Sequence, residues 1–324
     1  MRALVCREYG PVSGLEVKDV PAAPPGERDV VVRVEAAGLN YPDALLVQGK
    51  YQVRPALPFV PGMELAGVVT AVGAGVSDLR PGDAVMATAG MGAFAEQCVV
   101  AADRVLRRPP SLAAEVGAAS IVTYGTAAHA LEDRARLQPG ETLLVLGAGG
   151  GVGTAAVEIG KRMGARVLAA ASSPAKLAVA KGLGADEVID YASEDLRARL
   201  KELTGGRGPD VVFDPVGGPH SEPALRSLGW GGRFLVIGFA SGDIPKVPLN
   251  LALLNERSVV GVYWGDWSQR NRAASAAQFA RIAEALAAGA LKPAISARVR
   301  LEEVPRAMED LLQRRAHGKI VVVP

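Results

Sequence analysis

A cluster of glycines near the middle of the chain has the composition and spacing of a phosphate-binding turn. Five glycines lie within residues 147–153, directly after the apolar run of residues 142–146 and beside a stretch of helical spacing that begins at Val152. A continuous apolar run is expected of a strand that is buried on both faces. Glycines permit a tight turn and the close approach of an anion to backbone amides, and a helix N-terminus adds N–H groups and a positive dipole end. The pattern predicts a strand–turn–helix unit that binds the pyrophosphate of a dinucleotide.

The register of these glycines differs from the plain G-x-G-x-x-G motif. Gly147, Gly150 and Gly153 fit G-x-x-G-x-x-G, whereas Ala148, Gly150 and Gly153 fit A-x-G-x-x-G. A glycine cluster alone is weak evidence, because such clusters also close ordinary turns. Here a strand precedes the cluster, a helix follows it, and further strand–helix units come after it, which favours the dinucleotide site.

The end of the second expected strand distinguishes NADP from NAD. An NAD site usually carries an acidic residue about 20 residues past the glycines, which holds the ribose 2′-OH. In this chain Ser172 and Ser173 end that strand and Lys176 follows. Two hydroxyls and an ammonium can bind a 2′-phosphate, and no carboxylate is present to repel it. NADP is therefore favoured, with the alternative that Lys176 is a solvated helix residue and the serines form only a helix cap.

The elements around the glycine turn alternate between strands and helices. Such alternation predicts a parallel sheet with right-handed crossovers, placed at about residues 119–262. The expected helices span 152–163 and 174–183. The expected strands span residues 142–146, 166–171, 187–190, 210–214, 233–237 and 258–262.

The first third of the chain has a different pattern. Short Val-rich runs alternate with Gly and Pro turns, which suggests a partly open barrel or sandwich. Ser111 and Glu115 are expected to form a capping box where the pattern changes. At the C-terminal end, helices over 273–288 and 304–315 and strands over 294–299 and 319–323 either extend the parallel sheet or return to the first domain. The expected N-terminal strands span 29–34, 66–72, 84–87 and 94–100.

Composition and charge exclude several classes of function. The 324 residues carry a formal net charge of +2 without a basic stripe, which disfavours nucleic acid as the main partner. The two Cys and three His show no metal-binding spacing. No apolar run approaches the roughly 20 residues needed to span a bilayer, and no secretory signal is visible. We expect a cytoplasmic protein.

At this point the chain resembles a known family, the zinc-independent quinone oxidoreductases. These proteins belong to the medium-chain dehydrogenase/reductase superfamily and include zeta-crystallin. The resemblance covers essentially the whole chain in order, which makes it far more specific than one motif. The matching segments are residues 38–43, 49–51, 58–69, 123–126, 142–153, 214–218, 231–238 and 318–321.

The resemblance implies an α/β fold of two domains. A GroES-like, β-rich catalytic domain would span residues 1–118 and be completed by 263–324. A Rossmann domain, a doubly wound parallel sheet that binds NADPH, would be inserted at 119–262. The resemblance also implies an active site in the cleft between the domains, a homodimer, and a quinone or enone as the small-molecule substrate.

The zinc ligands of relatives in the superfamily are replaced here. Those relatives place Cys where this chain has Tyr41 and His where it has Met63. Met is a poor zinc ligand, so we expect no metal and direct hydride transfer from NADPH to a quinone or another α,β-unsaturated carbonyl. The alternatives are an enoyl-CoA reductase of the acrylyl-CoA type, or a non-catalytic NADPH-binding crystallin or RNA-binding protein.

The resemblance also assigns the site residues. Asn40, Tyr51 and Thr123 would border the nicotinamide and the substrate. Some relatives carry a second Tyr where this chain has Leu45, so that hydroxyl is absent here. The cofactor contacts would be Gly149, Gly150, Gly151, Val152, Ser172, Ser173, Lys176, Tyr191, Ile237, Gly238, Phe239, Ala240, Val262, Tyr263 and Trp264.

Each assignment has a structural alternative. Asn40 and Asp43 could simply hold a turn or a helix start, and Tyr51 could pack its ring at a domain edge. Tyr263 and Trp264 could be subunit-contact aromatics, since such residues are enriched in interfaces. We expect two further residues to be structural: His129 as a packed core histidine, and Glu64 as a buried acid paired with a nearby cation.

Overall fold

The computed structural model describes residues 1–324, which form two compact units. The first unit comprises Met1–Val122 and Asn271–Pro324, and the second comprises Thr123–Arg270. The first junction lies four residues, and the second eight residues, beyond the boundary placed from sequence. No helix in the chain is both long enough and apolar enough to cross a membrane.

The strands and the helices are each numbered in chain order. The strands are β1 (Arg2–Val5), β2 (Glu16–Asp19), β3 (Asp29–Leu39), β4 (Glu64–Val72), β5 (Ala84–Thr88), β6 (Gln97–Ala101), β7 (Val105–Arg107), β8 (Thr142–Leu146), β9 (Arg166–Ala171), β10 (Glu187–Asp190), β11 (Val211–Asp214), β12 (Arg233–Val236), β13 (Ser258–Gly261), β14 (Ile295–Val299) and β15 (Lys319–Val322). The helices are α1 (Tyr41–Val47), α2 (Ala114–Ala118), α3 (Ile121–Ala128), α4 (Gly151–Arg162), α5 (Pro174–Gly182), α6 (Leu196–Leu203), α7 (Ser221–Ser227), α8 (Asn250–Leu253), α9 (Trp264–Arg270), α10 (Arg272–Ala287) and α11 (Val304–Leu312).

The first unit is built on a seven-stranded sheet. Its path runs β14-β15-β3-β4-β5-β7, and β6 also pairs with β3. The eleven-residue strand β3 lies at the centre, antiparallel to β4, β6 and β15. The C-terminal segment therefore returns to the first unit, as the family resemblance implied, and the GroES-like part of the fold is built from both chain ends.

The second unit contains a six-stranded parallel sheet with the order β10-β9-β8-β11-β12-β13. Strands β8 and β9 are buried along almost their whole length, which explains their continuous apolar sequences. The chain proceeds from β8 to one side through β9 and β10, and to the other side through β11, β12 and β13. The strand order therefore reverses between β8 and β11, which is the place where ligands bind in open parallel sheets of the Rossmann type.

The expected helix start at Ser111 is wrong. Helix α2 begins at Ala114, its N-cap is Ala113, and no side chain caps it. Leu112 N donates to Pro109 O at 2.9 Å, so Ser111 lies in a turn that follows two prolines. The Glu115 carboxylate does not fold back on the helix start but pairs with Arg298 of β14 at 2.6 Å.

Candidate active site

The predicted glycine turn lies at the carboxyl end of β8, directly beside the point where the strand order reverses. Gly147 has φ +60°, a conformation that side chains disfavour. A Cβ at Gly149 would stand 2.4 Å from the Cβ of Lys176, so that position has no room for a side chain. Helix α4 starts at Gly151, and the N–H groups of its first turn have no acceptor within the helix. A glycine turn that opens a helix in this way is suited to binding an anion through backbone amides.

The end of β9 carries the three side chains proposed to distinguish the dinucleotides. Ser173 is the N-cap of α5, and its Oγ accepts a hydrogen bond from Lys176 N at 3.4 Å. Lys176 Nζ lies 3.4 Å from Ser172 Oγ. Ser173 therefore caps α5, as the structural alternative proposed. Ser172 and Lys176 form a polar corner beside it. Tyr191, directly after β10, packs its ring against His220 with 4.1 Å between centroids.

Asp214, at the end of β11, shapes the loop that faces the glycine turn. Its carboxylate accepts hydrogen bonds from Val216 N at 2.8 Å, Gly217 N at 2.9 Å and Ser221 Oγ at 2.5 Å. Burial raises the pKa of the Asp214 carboxyl, while these hydrogen bonds act in the opposite direction. Sequence reasoning noted Asp214 only as part of a family motif and missed this role as an anchor for the loop.

Two further predicted segments lie at the same edge of the sheet. Residues 237–240 follow β12, and Ile237 N and Ala240 N donate to Asp214 O and Pro215 O, both at 3.0 Å. Residues 262–264 follow β13; Val262 and Trp264 are buried, whereas Tyr263 is half exposed. Because the carboxyl ends of parallel strands share one edge, the glycine turn and both segments border the same face of the second unit. The predicted substrate residue Thr123 is also buried in this unit, near the start of α3.

In the first unit, a buried polar network occupies the point where β3 ends and β4 and β15 begin. Lys319 Nζ donates to Glu64 Oε1 and to Asn40 Oδ1, each at 2.6 Å. Asn40 Nδ2 donates to Glu64 Oε1 at 2.8 Å, and Glu64 Oε2 accepts from Val122 N at 2.8 Å. Glu64 and Lys319 are almost completely buried. The interpretation of Glu64 as a buried acid paired with a cation is confirmed.

The network changes how Asn40 is interpreted. Both ends of its side-chain amide are hydrogen-bonded to neighbours, and its backbone N–H donates to Asp43 Oδ2 at 2.8 Å across the first turn of α1. This geometry favours the alternative in which Asn40 and Asp43 hold the start of the helix. Sequence reasoning missed Lys319 as their partner.

Tyr51 lies on the irregular segment after α1 and is half-buried against the core of the first unit. The same segment is held by Tyr9, whose hydroxyl donates to Pro55 O. The Arg54 guanidinium lies over the Tyr9 ring, 4.9 Å from its centroid. Tyr51 is thus placed on a segment that has fixed neighbours, although no regular element contains it.

Asp43 provides a prediction about pH. Burial raises the pKa of its carboxyl from the usual 3.8 to about 7, against the lowering effects of the Asn40 N–H and the Lys319 charge. The folded chain therefore holds this proton more tightly than the unfolded chain does. The stabilisation that this proton gives to the folded state is complete below about pH 4 and is lost as the pH rises through about 7. The free energy of unfolding falls over this range by at most about 1.4 kcal/mol per pH unit. In urea unfolding across this range, Asp43→Asn is expected to lack this part of the slope; identical slopes in both proteins would contradict the assignment.

Comparison with known proteins identifies the family. Residues 26–110 match the model of the alcohol dehydrogenase GroES-like domain, and residues 151–281 match that of the zinc-binding dehydrogenases. The chain is 39% identical to a quinone oxidoreductase-like protein 2 homolog of Nematostella vectensis, over 99% of this chain and 88% of that protein. The chain belongs to the quinone oxidoreductase family. Within this family it is 38% identical to quinone oxidoreductase-like protein 2 of Rattus norvegicus, over 99% of this chain and 91% of the relative.

A solved structure of the family has the same fold over the whole length. The quinone oxidoreductase of Escherichia coli, crystallised in complex with NADPH, superposes with a TM-score of 0.95 and covers 100% of both chains at 29% identity. The GroES-like and Rossmann parts of this quinone oxidoreductase family member are therefore those of the medium-chain dehydrogenase/reductase superfamily, and the chain is an oxidoreductase.

Proposed function

We propose that the protein uses NADPH to reduce a quinone or another α,β-unsaturated carbonyl compound without a metal ion. The observation that carries the cofactor choice is the corner at the end of β9. Lys176 and Ser172 meet there, where NAD-dependent Rossmann domains usually place an acidic side chain. An ammonium and a hydroxyl bind a 2′-phosphate well, and they offer a ribose 2′-OH no carboxylate acceptor.

In this proposal the second unit supplies the groups that bind the cofactor. The amides of Gly149, Gly150, Gly151 and Val152 would hold the pyrophosphate, since the three glycines have no side chain that would cover the backbone. Ser172, Ser173, Lys176 and Tyr191 would surround the adenosine 2′-phosphate. Residues 237–240 and 262–264 would bind the nicotinamide half. Bound NADPH supplies a hydride to an electron-poor acceptor, which itself stabilises the incoming charge.

The donor set of the first unit does not fit a zinc ion. No three His, Cys, Asp or Glu side chains come together as a metal-binding group. The positions of the relatives' ligands hold Tyr41 and Met63, and burial raises the pKa of the Tyr41 hydroxyl, which disfavours a phenolate ligand. The adjacent Glu64 carboxylate is already paired with the Lys319 ammonium. The residues at these positions therefore do not support catalysis through zinc, although the matching dehydrogenase family is named for that metal.

Because NADPH supplies the hydride, the protein contributes to the reaction by holding the reactants in place and excluding water. Tyr51 and Thr123 carry the hydroxyl groups proposed to contact the acceptor. Asn40 is assigned an indirect role, because its amide already holds Glu64 and Lys319. It keeps the start of α1 in place, and α1 leads to the segment that carries Tyr51.

The direct test is turnover with a panel of acceptors. Purified protein is mixed with NADPH and 1,4-benzoquinone, 9,10-phenanthrenequinone or crotonyl-CoA, and the loss of reduced-nicotinamide absorbance is followed. We expect rapid oxidation with the quinones, slower oxidation with NADH in place of NADPH, and no change after treatment with a chelator. Absence of turnover on every quinone would refute the quinone proposal, and turnover on crotonyl-CoA alone would favour the enoyl-CoA reductase.

We also propose that the active form is a homodimer joined through β13. This strand is an edge of the parallel sheet. Ser258 and Val262 direct their N–H groups to β12, so by alternation the backbone of Val259 faces outward. Apolar side chains near this edge are strongly exposed: Leu249 by 85%, Leu253 by 79% and Val259 by 52%. The edge is open at Val259, whereas Gly261 O already accepts from Arg134 Nε at 3.1 Å. An open edge is a template for a second strand, and an antiparallel copy of β13 would extend the sheet about a two-fold axis.

Val259→Asp is expected to convert the dimer into a monomer, because two carboxylates would face each other across the axis. Light scattering after size-exclusion chromatography measures this change. Ile244→Asp, at a residue 67% exposed but outside the edge strand, is the matched control and should remain dimeric. A monomeric wild-type protein, or a dimeric Val259→Asp variant, would contradict the interface.

A further inference from the structure

The helix that begins with α3 changes its geometry part-way. After Ala128 the chain continues as a π-helix over His129–Arg134. Ala135 N donates to Ala130 O, five residues back, at 2.8 Å. A π-helical turn is rare and is often found at functional sites. The proposed cofactor contacts include no residue of this segment.

The π-helical turn places two side chains where an α-helix would separate them. Residues five apart are about 140° apart around an α-helix with 3.6 residues per turn. In a π-helix, which bonds to the residue five positions back, His129 and Arg134 come close to one face of the helix. Both side chains contact the segment that leaves β13.

Three contacts join this helix to the chain around residues 262–264. The Trp264 ring packs on Gly125, where an added Cβ would stand 2.6 Å from Trp264 Cζ2. One helical turn later, Trp267 stacks on His129, with 4.2 Å between centroids and 24° between planes. Arg134 Nε donates to Gly261 O at 3.1 Å, at the last residue of β13. The contacts therefore fix residues 262–264 from the residue before them to the helix after them.

His129 is itself held firmly. It is 4% exposed, and its Nδ1 lies 2.8 Å from Asp133 Oδ2 within the same π-helical segment. The expectation of a packed core histidine is confirmed. A side chain needed only to fill space could be apolar, whereas this one is oriented by a carboxylate and presents its flat ring to Trp267. The orientation of the ring, and not only its volume, is therefore specified.

We propose that His129, Trp267 and Arg134 act as positioning residues that fix the backbone at residues 262–264 and so set the place of the nicotinamide ring. This inference rests on the proposed function, because it takes residues 262–264 as the nicotinamide contact. The same helix carries Thr123 two residues before Gly125, so the contacts also fix the distance between Thr123 and Trp264. The three residues act through backbone that they hold and do not touch the reacting atoms.

The test separates the two halves of the cofactor. Binding of NADPH and of adenosine 2′,5′-bisphosphate, which lacks the nicotinamide half, is measured by calorimetry for the wild type, Trp267→Leu and Trp267→Phe. Trp267→Leu is expected to weaken NADPH binding about fivefold and adenosine 2′,5′-bisphosphate binding by less than about twofold, since an aromatic stack contributes about 1 kcal/mol. Trp267→Phe keeps an aromatic ring and should restore most of the NADPH affinity.

A second variant keeps the test valid if Trp267→Leu does not fold. Arg134→Gln removes the bond to Gly261 O from a more exposed side chain and should give the same selective loss. Trp230→Leu, at a tryptophan that is 72% exposed, is the control and should bind both ligands like the wild type. Equal losses for both ligands, or no loss in Trp267→Leu and Arg134→Gln, would overturn the inference. A wild type that binds adenosine 2′,5′-bisphosphate and NADPH equally poorly would instead refute the proposed function.

Discussion

Replacing Lys176 with alanine is expected to weaken NADPH binding about 10- to 100-fold and to leave NADH binding within about twofold. A hydrogen bond to a charged group contributes about 1.5–3 kcal/mol, and each 1.4 kcal/mol is about a factor of ten in affinity. Lys176 Nζ lies beside Ser172 Oγ, in the corner proposed for the 2′-phosphate that NADH lacks. Fluorescence titration with both cofactors measures the two dissociation constants.

The same helix offers a matched control for this variant. Lys181 is also on α5, but its Nζ donates to Asp186 O at 2.7 Å, away from Ser172. Lys181→Ala should bind NADPH and NADH as the wild type does. If Lys176→Ala lost affinity equally for both cofactors, Lys176 would be acting on the helix start and not on a phosphate.

The second large effect is expected in stability. Lys319→Met should lower the free energy of unfolding of the first unit by about 3–5 kcal/mol, because it leaves a buried carboxylate without its partner. Glu64 is fully buried, and the Lys319 ammonium lies 2.6 Å from its Oε1. Urea unfolding monitored by circular dichroism measures the loss. Adding Glu64→Gln to the variant removes the unpaired charge and should restore part of the stability.

An exposed ion pair in the same unit provides the comparison. Lys18 Nζ lies 2.9 Å from Glu16 Oε2, but both side chains are largely solvated. Exposed pairs of this kind contribute about 0–1 kcal/mol, so Lys18→Met should have little effect. Similar losses in Lys18→Met and Lys319→Met would show that burial is not what makes the Lys319 pair important.

The parallel sheet was the part of the fold most readily predicted from sequence. The bounds of β8, β9 and β10 agree with those expected, because each strand has an apolar centre and a polar or glycine residue at or directly beyond each end. The helix start at Ser111 was wrong because a Ser followed by an acid four residues later also occurs in a turn after prolines. The short helix α1 was not predicted, since its seven residues contain no full repeat of the apolar pattern.

The polar parts of the candidate site were harder to predict for a physical reason. Asn40 and Lys319 are 279 residues apart in the chain, and no local pattern couples them. They meet only because β15 pairs with β3, which brings the start of one strand to the end of the other. The π-helical turn at His129 was also beyond local reasoning, because the sequence of residues 129–134 is equally compatible with an α-helix. The π-helical turn makes its contacts with α9, a helix that begins more than a hundred residues later.

The place of β15 between β14 and β3 has a consequence for biosynthesis. The central sheet of the first unit includes β15, which follows the whole second unit in sequence, so the sheet cannot be completed until β15 has left the ribosome. The second unit is continuous in sequence and is fully synthesised earlier. Domains usually form in order of their emergence, N-terminal first. In this protein the second unit can therefore fold before the first unit is complete, because the end of β3 lacks its partner on that edge until β15 has been synthesised.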